Sequence, residues 1–517
     1  MANKYIFRSL AGSPPPADTL NEAGGKAFAL PPRQALAQYA VTGCLNGTFY
    51  ASAETQLERV LEMVSAAGPE FTAKVALYSR ERGHMKDMPA LLCAALSVLD
   101  ASQLKAVFPR VCADGRLVRN FVQIVRSGVV GRKSLGSVPK KLVQRWLEKA
   151  SDEQILRASV GQSPSLADVV RMVHPHPVDA TRAALYGWLL GHAHDATALP
   201  ECVKAYESYK AGTSKEVPDV PFQMLTALSL GTPEWTAIAR NAGWQMTRMN
   251  LNTFARHGVF GDRKVTRQIA NRLRDASLIR KARVFPYQLM VAYRNTDAQV
   301  PDEVRNALQD ALEIALENVP AVAGEIVVCP DVSGSMHSPV TGDRPGSTTT
   351  VTCLQAAALV TAALLRKNSS AKVLPFSDAV ARVSLNPHDS VMTNAEKLAA
   401  LPSGGTNCSA PIADLNARRV TADLVVMVSD NQSWVDNDGG GRSTATMAEW
   451  EHFRRRNPRA RLVCLDLAPY GTCQAAERED ILNIGGFSDA VFDIIARFAR
   501  GELQPDHWVG EIESMAV

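Results

Sequence analysis

An apolar run, Val327-Val328-Cys329, ends in Pro330-Asp331 and passes straight into Val332-Ser333-Gly334-Ser335-Met336. A strand that ends in a carboxylate and hands over to alternating hydroxyls around a glycine builds a tight loop aiming several oxygens at one point. Hard cations such as Mg²⁺ take oxygen ligands and often keep several waters. Pro330 lacks a ladder donor, so the strand is expected to be ending there.

The chain supplies further oxygens downstream. Gly404-Gly405-Thr406 is a flexible turn closing on a hydroxyl. Asp423-Leu424-Val425-Val426-Met427-Val428-Ser429-Asp430 is a second strand-like run ending in a carboxylate. Across 325–517, apolar runs at 326–329, 373–376, 424–428 and 462–467 alternate with helical stretches such as 354–366 and 490–498. Strands alternating with helices predict a parallel, doubly wound α/β sheet. Ligands of such sheets bind outside the carboxyl ends of the strands, where Asp331 and Asp430 are predicted to lie.

The first three-fifths of the chain reads as helix throughout, with no period-2 strand pattern of any length. Leu57, Val60, Leu61 and Val64 form one apolar stripe, and Val304, Leu308, Ala311, Leu312 and Ala315 another, with Pro301 near a helix start. Gly128, Pro139, Ser163-Pro164, Gly212 and Gly258 break the intervening sequence into helix-length segments. The expectation is an α-helical HEAT-like solenoid over 1–323, without a clean repeat, followed by the α/β domain over 324–517.

Composition places few further limits. No apolar run is long enough to span a membrane. Residues 1–8 carry no long apolar region of the secretory kind, and the nine cysteines form no CxxC pair. A reducing, cytoplasmic setting is expected, as are no membrane partner and a monomeric state. The net charge of +4 divides unequally. Residues 325–517 hold 17 Lys and Arg against 23 Asp and Glu, whereas residues 1–324 hold 39 against 29. A basic half is compatible with a polyanion partner, and equally with an ordinary solvated surface.

The ordered set Asp331-x-Ser333-x-Ser335, Gly404-Gly405-Thr406 and the strand ending at Asp430 resembles the metal-ion-dependent adhesion site of von Willebrand factor A domains. That resemblance implies direct metal contacts from Ser333, Ser335 and Thr406, contacts largely through water from Asp331 and Asp430, and Mg²⁺ as the cation. In the first half, Tyr78-Ser79-Arg80-Glu81-Arg82-Gly83-His84-Met85-Lys86-Asp87-Met88-Pro89-Ala90-Leu91-Leu92 resembles a segment of the TROVE module. Asn46-Gly47-Thr48-Phe49-Tyr50 and Val170-Arg171-Met172-Val173-His174-Pro175 resemble others. A TROVE module followed directly by a von Willebrand A domain is the arrangement of the Ro autoantigen family, bacterial members included. The resemblance covers nearly the whole chain. It implies a helical ring whose ends are clasped by the von Willebrand A domain. Small structured Y-like RNA would bind its outer surface, and single-stranded 3′ ends of misfolded RNA its hole. An exoribonuclease is an implied partner.

Candidate RNA contacts follow. Arg126, Arg132, Lys133, Lys140, Lys141 and Arg145 cluster around a Gly/Ser/Pro-rich turn, a pattern suited to tracking phosphates. His174 matches the histidine that contacts RNA in the family, with Arg171 beside it; the basic residues often found just upstream are missing except for Arg157. Arg263, Lys264, Arg267, Arg272 and Arg274 form a second basic stretch, which could equally be a solvated helix face. Met85, Met88, Leu91 and Leu92 are expected in the core, with Arg82 and Lys86 pairing to Glu81 or Asp87. No Walker loop, HExxH or GxSxG occurs. Two-metal phosphoryl chemistry holds its ions about 3.5–4 Å apart and calls for more carboxylates than two. A non-catalytic RNA-binding protein is therefore expected. The alternative is a protein-assembly module whose metal captures a partner's carboxylate.

Overall fold

The computed structural model describes residues 14–517, apart from 43, 44, 46, 285, 318, 342–349, 435–441 and 504–506. Residues 1–8 and Asn46, both read above, lie outside the described residues. The described residues form two compact units. One comprises 68–282, 296–308 and 516–517; the other comprises 1–67, 283–295 and 309–515.

The first unit is helical. Its segments pack mainly on near neighbours in sequence: Pro69–Glu81 on Asp87–Leu99 and Ala101–Val111, Asp87–Leu99 on Gly115–Ser127, and Ala101–Val111 on Ser137–Lys149. Leu166–Val173 packs on Gly115–Ser127, Ser137–Lys149 and Ala180–Leu190. Neighbour-to-neighbour stacking of this kind is that of a solenoid. Local sequence sets the helix ends. The Asp114 carboxylate caps the helix Gly115–Ser127 by accepting from Leu117 N at 3.0 Å, and Gly128 ends it at φ 90°. Ser151 with Gln154, and Ser165 with Asp168, form capping boxes. In the segment 78–92, Met88, Leu91 and Leu92 are buried while Met85 is only half-buried. Glu81 pairs with Arg110 at 2.8 Å rather than with a neighbour in its own segment.

Buried and half-buried arginines tie successive layers together. Arg182, 5% exposed, donates to the carbonyls of Leu147 and Ala150, where the helix Ser137–Lys149 ends. Arg119 donates to the Val160 and Pro164 carbonyls, and Arg272 to the Ala239 and Arg240 carbonyls. The last carbonyls of a helix have no partner within it, and a guanidinium supplies five donors to such acceptors.

The second unit is built on a five-stranded parallel sheet. Its strands are β3 (Ile326–Pro330), β6 (Lys372–Val373), β7 (Leu424–Ser429), β8 (Arg461–Asp466) and β10 (Ile481–Gly485), in the spatial order β10-β8-β7-β3-β6, while β4 (Pro339–Thr341) and β5 (Val351–Thr352) form a separate antiparallel pair. Val327, Cys329, Val425, Met427, Leu462 and Cys464 share one core with Ile412, Leu415, Met447, Trp450 and Phe453 of the helices Ala410–Ala417 and Ala445–Arg456. The helix Cys353–Lys367 packs on β3, β6 and β7. β3 ends at Pro330, as its missing donor requires. The chain steps from β3 outward to β6, then returns to the other side of β3 to lay down β7. The crevice at the carboxyl ends of β3 and β7 is therefore the switch point of the sheet.

The reading of the first half as helix throughout needs correction at its start. Strands β1 (Thr19–Leu20) and β2 (Lys26–Ala29) form a hairpin, and β2 pairs antiparallel with β9 (Thr472–Cys473). Two to four residues are too few to show alternation, and the partner lies more than 400 positions away. In the same unit the helix Pro32–Ala40 packs on β10 and on the helix His507–Glu513, and the helix Pro286–Arg294 packs on Cys353–Lys367. Segments preceding and ending the helical part thus both rest on the α/β domain. Among the described residues no helix is long and apolar enough to cross a membrane.

Candidate metal centre and candidate nucleic-acid interface

The residues singled out for a cation converge. Asp331 follows β3 and Asp430 follows β7, adjacent parallel strands in register, and Asp331 N donates to the Val428 carbonyl at 2.9 Å. The loop after β3 folds back on Asp331, whose Oδ1 accepts from Ser333 N at 2.8 Å, and the Ser333 and Ser335 hydroxyls stand 3.3 Å apart. Gly334 N donates to the Gly404 carbonyl at 3.0 Å, which brings the turn leading to Thr406 against this loop. The turn is only possible without a side chain at 404: a Cβ there would lie 2.4 Å from the Asp378 carboxylate, which accepts from Gly405 N at 3.0 Å. The Thr406 carbonyl in turn accepts from Trp434 N at 3.1 Å, beyond Asp430.

All five side chains are at most 5% exposed. Burial, and then the charge of Asp430, pushes the Asp331 carboxyl up to about 7, against hydrogen bonds from Ser333 and Ser429. Burial also raises Asp430, against the Ser335 hydroxyl beside it. Asp430 Oδ1 accepts from Gln432 N at 3.3 Å, whereas Oδ2 is buried with no hydrogen-bond partner. Two buried carboxylates without a counter-charge, one with an orphaned oxygen, beside two hydroxyls at mutual hydrogen-bond distance, form a donor set suited to a hard divalent cation. No group of three or more His, Cys, Asp or Glu comes together among the described residues, so the set is one of hydroxyls and two acids.

Sequence reasoning missed several contributors. The Ser429 hydroxyl donates to Asp331 Oδ2 at 2.6 Å, occupying that residue's second oxygen. Asp466, at the end of β8, is 1% exposed, and burial holds its carboxyl well above the usual range with Asp430 adding to the effect. Its place at a strand end was a usable signal. Tyr50 and Tyr470 also face the carboxylates: burial and then Asp430 raise both, Tyr50 to about 12. Gln432 and Ser433 are braced by the hairpin turn, with Asn21 Nδ2 donating to the Ser433 carbonyl at 2.6 Å and Glu22 N to Gln432 Oε1 at 2.9 Å. No sequence signal linked these segments.

The basic candidates separate into two kinds. Lys133 and Lys141 are exposed, Lys140 is half-buried, and none of the three has an acidic partner among the described residues. His174 is exposed at the C-terminal end of Leu166–Val173 in a left-handed conformation, φ 51°. Gln144, on the same helix as Lys140 and Lys141, donates to the Val173 and His174 carbonyls at 2.6 and 3.2 Å. Arg126 reaches the Met172 sulfur at 2.7 Å. Lys140, Lys141, Arg126 and His174 therefore share one edge.

Arg132 has a different task from the phosphate contact expected of it. Its guanidinium donates to the carbonyls of Ser97, Ser134 and Leu135 at 2.8–2.9 Å and holds the turn in shape. Arg171 is exposed, paired with Asp168 at 3.1 Å and donating to the Leu190 carbonyl. In the second basic stretch Arg263, Lys264 and Arg267 are exposed, whereas Arg272 is spent on carbonyls.

Residues 325–499 match the family model described as the Ro60 vWA domain. A Deinococcus radiodurans protein named RNA-binding protein RO60 is 24% identical, over 93% of this chain and 95% of its own length. A Caenorhabditis elegans protein of the same name is 23% identical over 50% of this chain and 40% of its own. The crystal structure of the Deinococcus radiodurans RO (RSR) protein matches with a TM-score of 0.63 and 23% identity, covering 91% of this chain and all of that one.

Proposed function

We propose that this chain is a Ro-type protein that binds RNA and is not a catalyst. Its ligands are small structured Y-like RNA and single-stranded 3′ ends of misfolded RNA, in an RNA quality-control or ribonucleoprotein-assembly role in the cytoplasm. The observation that carries the reading is the edge shared by Lys140, Lys141, Arg126 and His174, with Lys133, which has no acidic partner among the described residues, nearby. Lysines without acidic partners are free to release counterions from phosphates, and an exposed imidazole can stack on a base or bond to it. The two relatives named as RNA-binding proteins support the same reading.

A ring closed by the α/β domain is part of the proposal. It is supported by the packing of that domain on both the helix Pro32–Ala40 and the helix Pro286–Arg294. Ring closure predicts that a linear RNA without any Y-like stem binds better than its circularised form; equal affinity defeats threading of free ends.

The direct test is the salt dependence of binding to a hairpin RNA and to a single-stranded one. Each phosphate contact contributes about 0.7–0.9 to the slope of log K against log salt. Replacing Lys133, Lys140 and Lys141 together by Ala lowers the affinity and flattens the slope by about 2. An unchanged slope overturns the assignment of this edge.

A second reading is favoured by the rim of the candidate metal centre, where Trp434 is 50% and Phe49 56% exposed. Mg²⁺ held by Ser333, Ser335, Thr406, Asp331 and Asp430 would supply an electrophile for a carboxylate of a protein partner, such as an exoribonuclease, with these aromatic rings beside it. Pull-down with and without EDTA separates this reading from RNA binding.

A further inference from the structure

Away from the edge formed by Lys140 and His174, the second basic stretch carries an aromatic platform. Residues 231–280 hold nine Lys and Arg against three Asp and Glu. The helices Thr232–Asn241, Leu251–Arg256 and Arg263–Leu273 pack together around the short turn Val259–Gly261. Where Leu251–Arg256 ends, the chain reverses through Gly258 at φ 72°, a conformation that favours glycine. There the His257 ring lies flat on the Trp235 indole, with centroids 4.4 Å apart and planes at 11°. The indole is 5% exposed, whereas His257 is exposed. One face of the imidazole is thus covered by Trp235 and the other is open. Neither ring nitrogen has a hydrogen-bond partner among the described residues. Cations follow on both sides in the chain. Arg256 is exposed, its guanidinium donating to Thr253 Oγ1 at 3.3 Å. Arg263 and Arg267, four apart, share one face of their helix, with Lys264 beside them. All three are exposed and none has an acidic partner among the described residues. Asp262, the acid of this turn, is committed elsewhere: Oδ1 accepts from Lys264 N at 2.8 Å and Oδ2 pairs with Arg240 at 2.9 Å.

We propose that the Trp235–His257 stack is a base-stacking platform for single-stranded RNA, with Arg256, Arg263, Lys264 and Arg267 holding the adjoining phosphates. This rests on the reading that the chain binds RNA, and adds a contact of different chemistry from the Lys140 edge. Unpaired bases stack on aromatic side chains, histidine included, and a ring with free nitrogens can also bond to a base edge. An imidazole already fixed by the indole beneath it has little freedom left to lose when a base covers its open face, which favours binding. Basic side chains alone accept any polyanion. The stack supplies what they lack, a preference for strands whose base faces are not already hidden in a duplex.

The test titrates the full-length chain with a labelled, unstructured oligoribonucleotide and with an abasic ribose-phosphate strand of the same length. His257→Ala weakens binding of the oligoribonucleotide about tenfold, within the range of one lost base stack, and leaves binding of the abasic strand unchanged. His257→Phe keeps a flat ring on Trp235 and retains most of the affinity, which separates loss of stacking from loss of fold. Arg263→Ala together with Arg267→Ala weakens both strands and flattens the slope of log K against log salt by about 1.4. Unchanged RNA affinity in His257→Ala, or an equal loss for the abasic strand, overturns the platform; the Lys140 edge, read from its own lysine variants, then still stands. Polyglutamate that displaces the oligoribonucleotide as well as unlabelled RNA does would make the patch a surface for acidic protein and also overturns it. A wild type that binds neither hairpin nor single-stranded RNA removes both readings.

Discussion

Replacing Asp331 by Asn tests whether the buried carboxylate pair exists for a cation. In the unfolded chain Asp331 titrates near the ordinary carboxylate value of about 4, while in the fold burial and Asp430 hold its proton up to about 7. Between those values the folded protein binds more protons than the unfolded chain. The stability contributed by this group is thus fully present below about pH 4 and is lost as pH rises through about 7. At about 1.4 kcal/mol per pH unit the loss approaches about 4 kcal/mol in the metal-free protein. A side-chain amide carries no charge, so Asp331→Asn lacks this slope and at about pH 8 is the more stable protein in EDTA, by up to the same amount. Mg²⁺ closes most of this gap: at a hundredfold excess over its dissociation constant it adds about 2.7 kcal/mol to the wild type and nothing to the variant. The assay is urea unfolding at about pH 5 and pH 8, in EDTA and in saturating Mg²⁺, followed by tryptophan fluorescence, to which the buried Trp450 and Trp508 of this unit contribute. A wild type in EDTA that is equally stable at both pH values, and never less stable than Asp331→Asn, refutes the reasoning.

Three further substitutions probe the scaffold. Gly404→Ala brings a Cβ within 2.4 Å of the Asp378 carboxylate and 3.0 Å of Ser377 Oγ; Mg²⁺ affinity by calorimetry should fall about tenfold, as for other residues that shape a metal site without touching the ion. Gly115→Ala sets a methyl 2.2 Å from Ala158 Cβ and 2.9 Å from the Trp146 ring; overpacking costs about 1–3 kcal/mol, read as a lower thermal midpoint with Mg²⁺ affinity unchanged. Arg182→Met leaves the Leu147 and Ala150 carbonyls and Asp152 without their guanidinium. A cost of about 1–3 kcal/mol is expected from leaving buried carbonyls without a donor, the half-exposed Asp152 adding little, and wild-type stability in that variant would show the arginine braces to be dispensable.

The sequence by itself determined the features whose causes are local. β3 and β7 are apolar because a parallel strand is covered on both faces. The switch-point rule puts residues at their carboxyl ends into a crevice, so Asp331, Ser333, Ser335 and Asp430 were legible as one site. Capping boxes at Ser151 and Ser165 and the stripe Val304–Leu308–Ala311–Leu312–Ala315, buried throughout, are local in the same sense. What only the tertiary structure decided are pairings between distant segments of ordinary composition. β2 joins β9 across more than 400 residues through backbone groups that every residue carries. Gln56 reaches the Pro469 carbonyl, and Tyr50 N the Tyr470 hydroxyl, across more than 400 residues. The charge of Arg132, Arg182 and Arg272 is written in the sequence, yet whether such a guanidinium meets a phosphate or a helix-end carbonyl is settled by packing. A carbonyl acceptor has no signature among side chains, so the sequence shows how many positive charges there are and the fold shows which of them remain free.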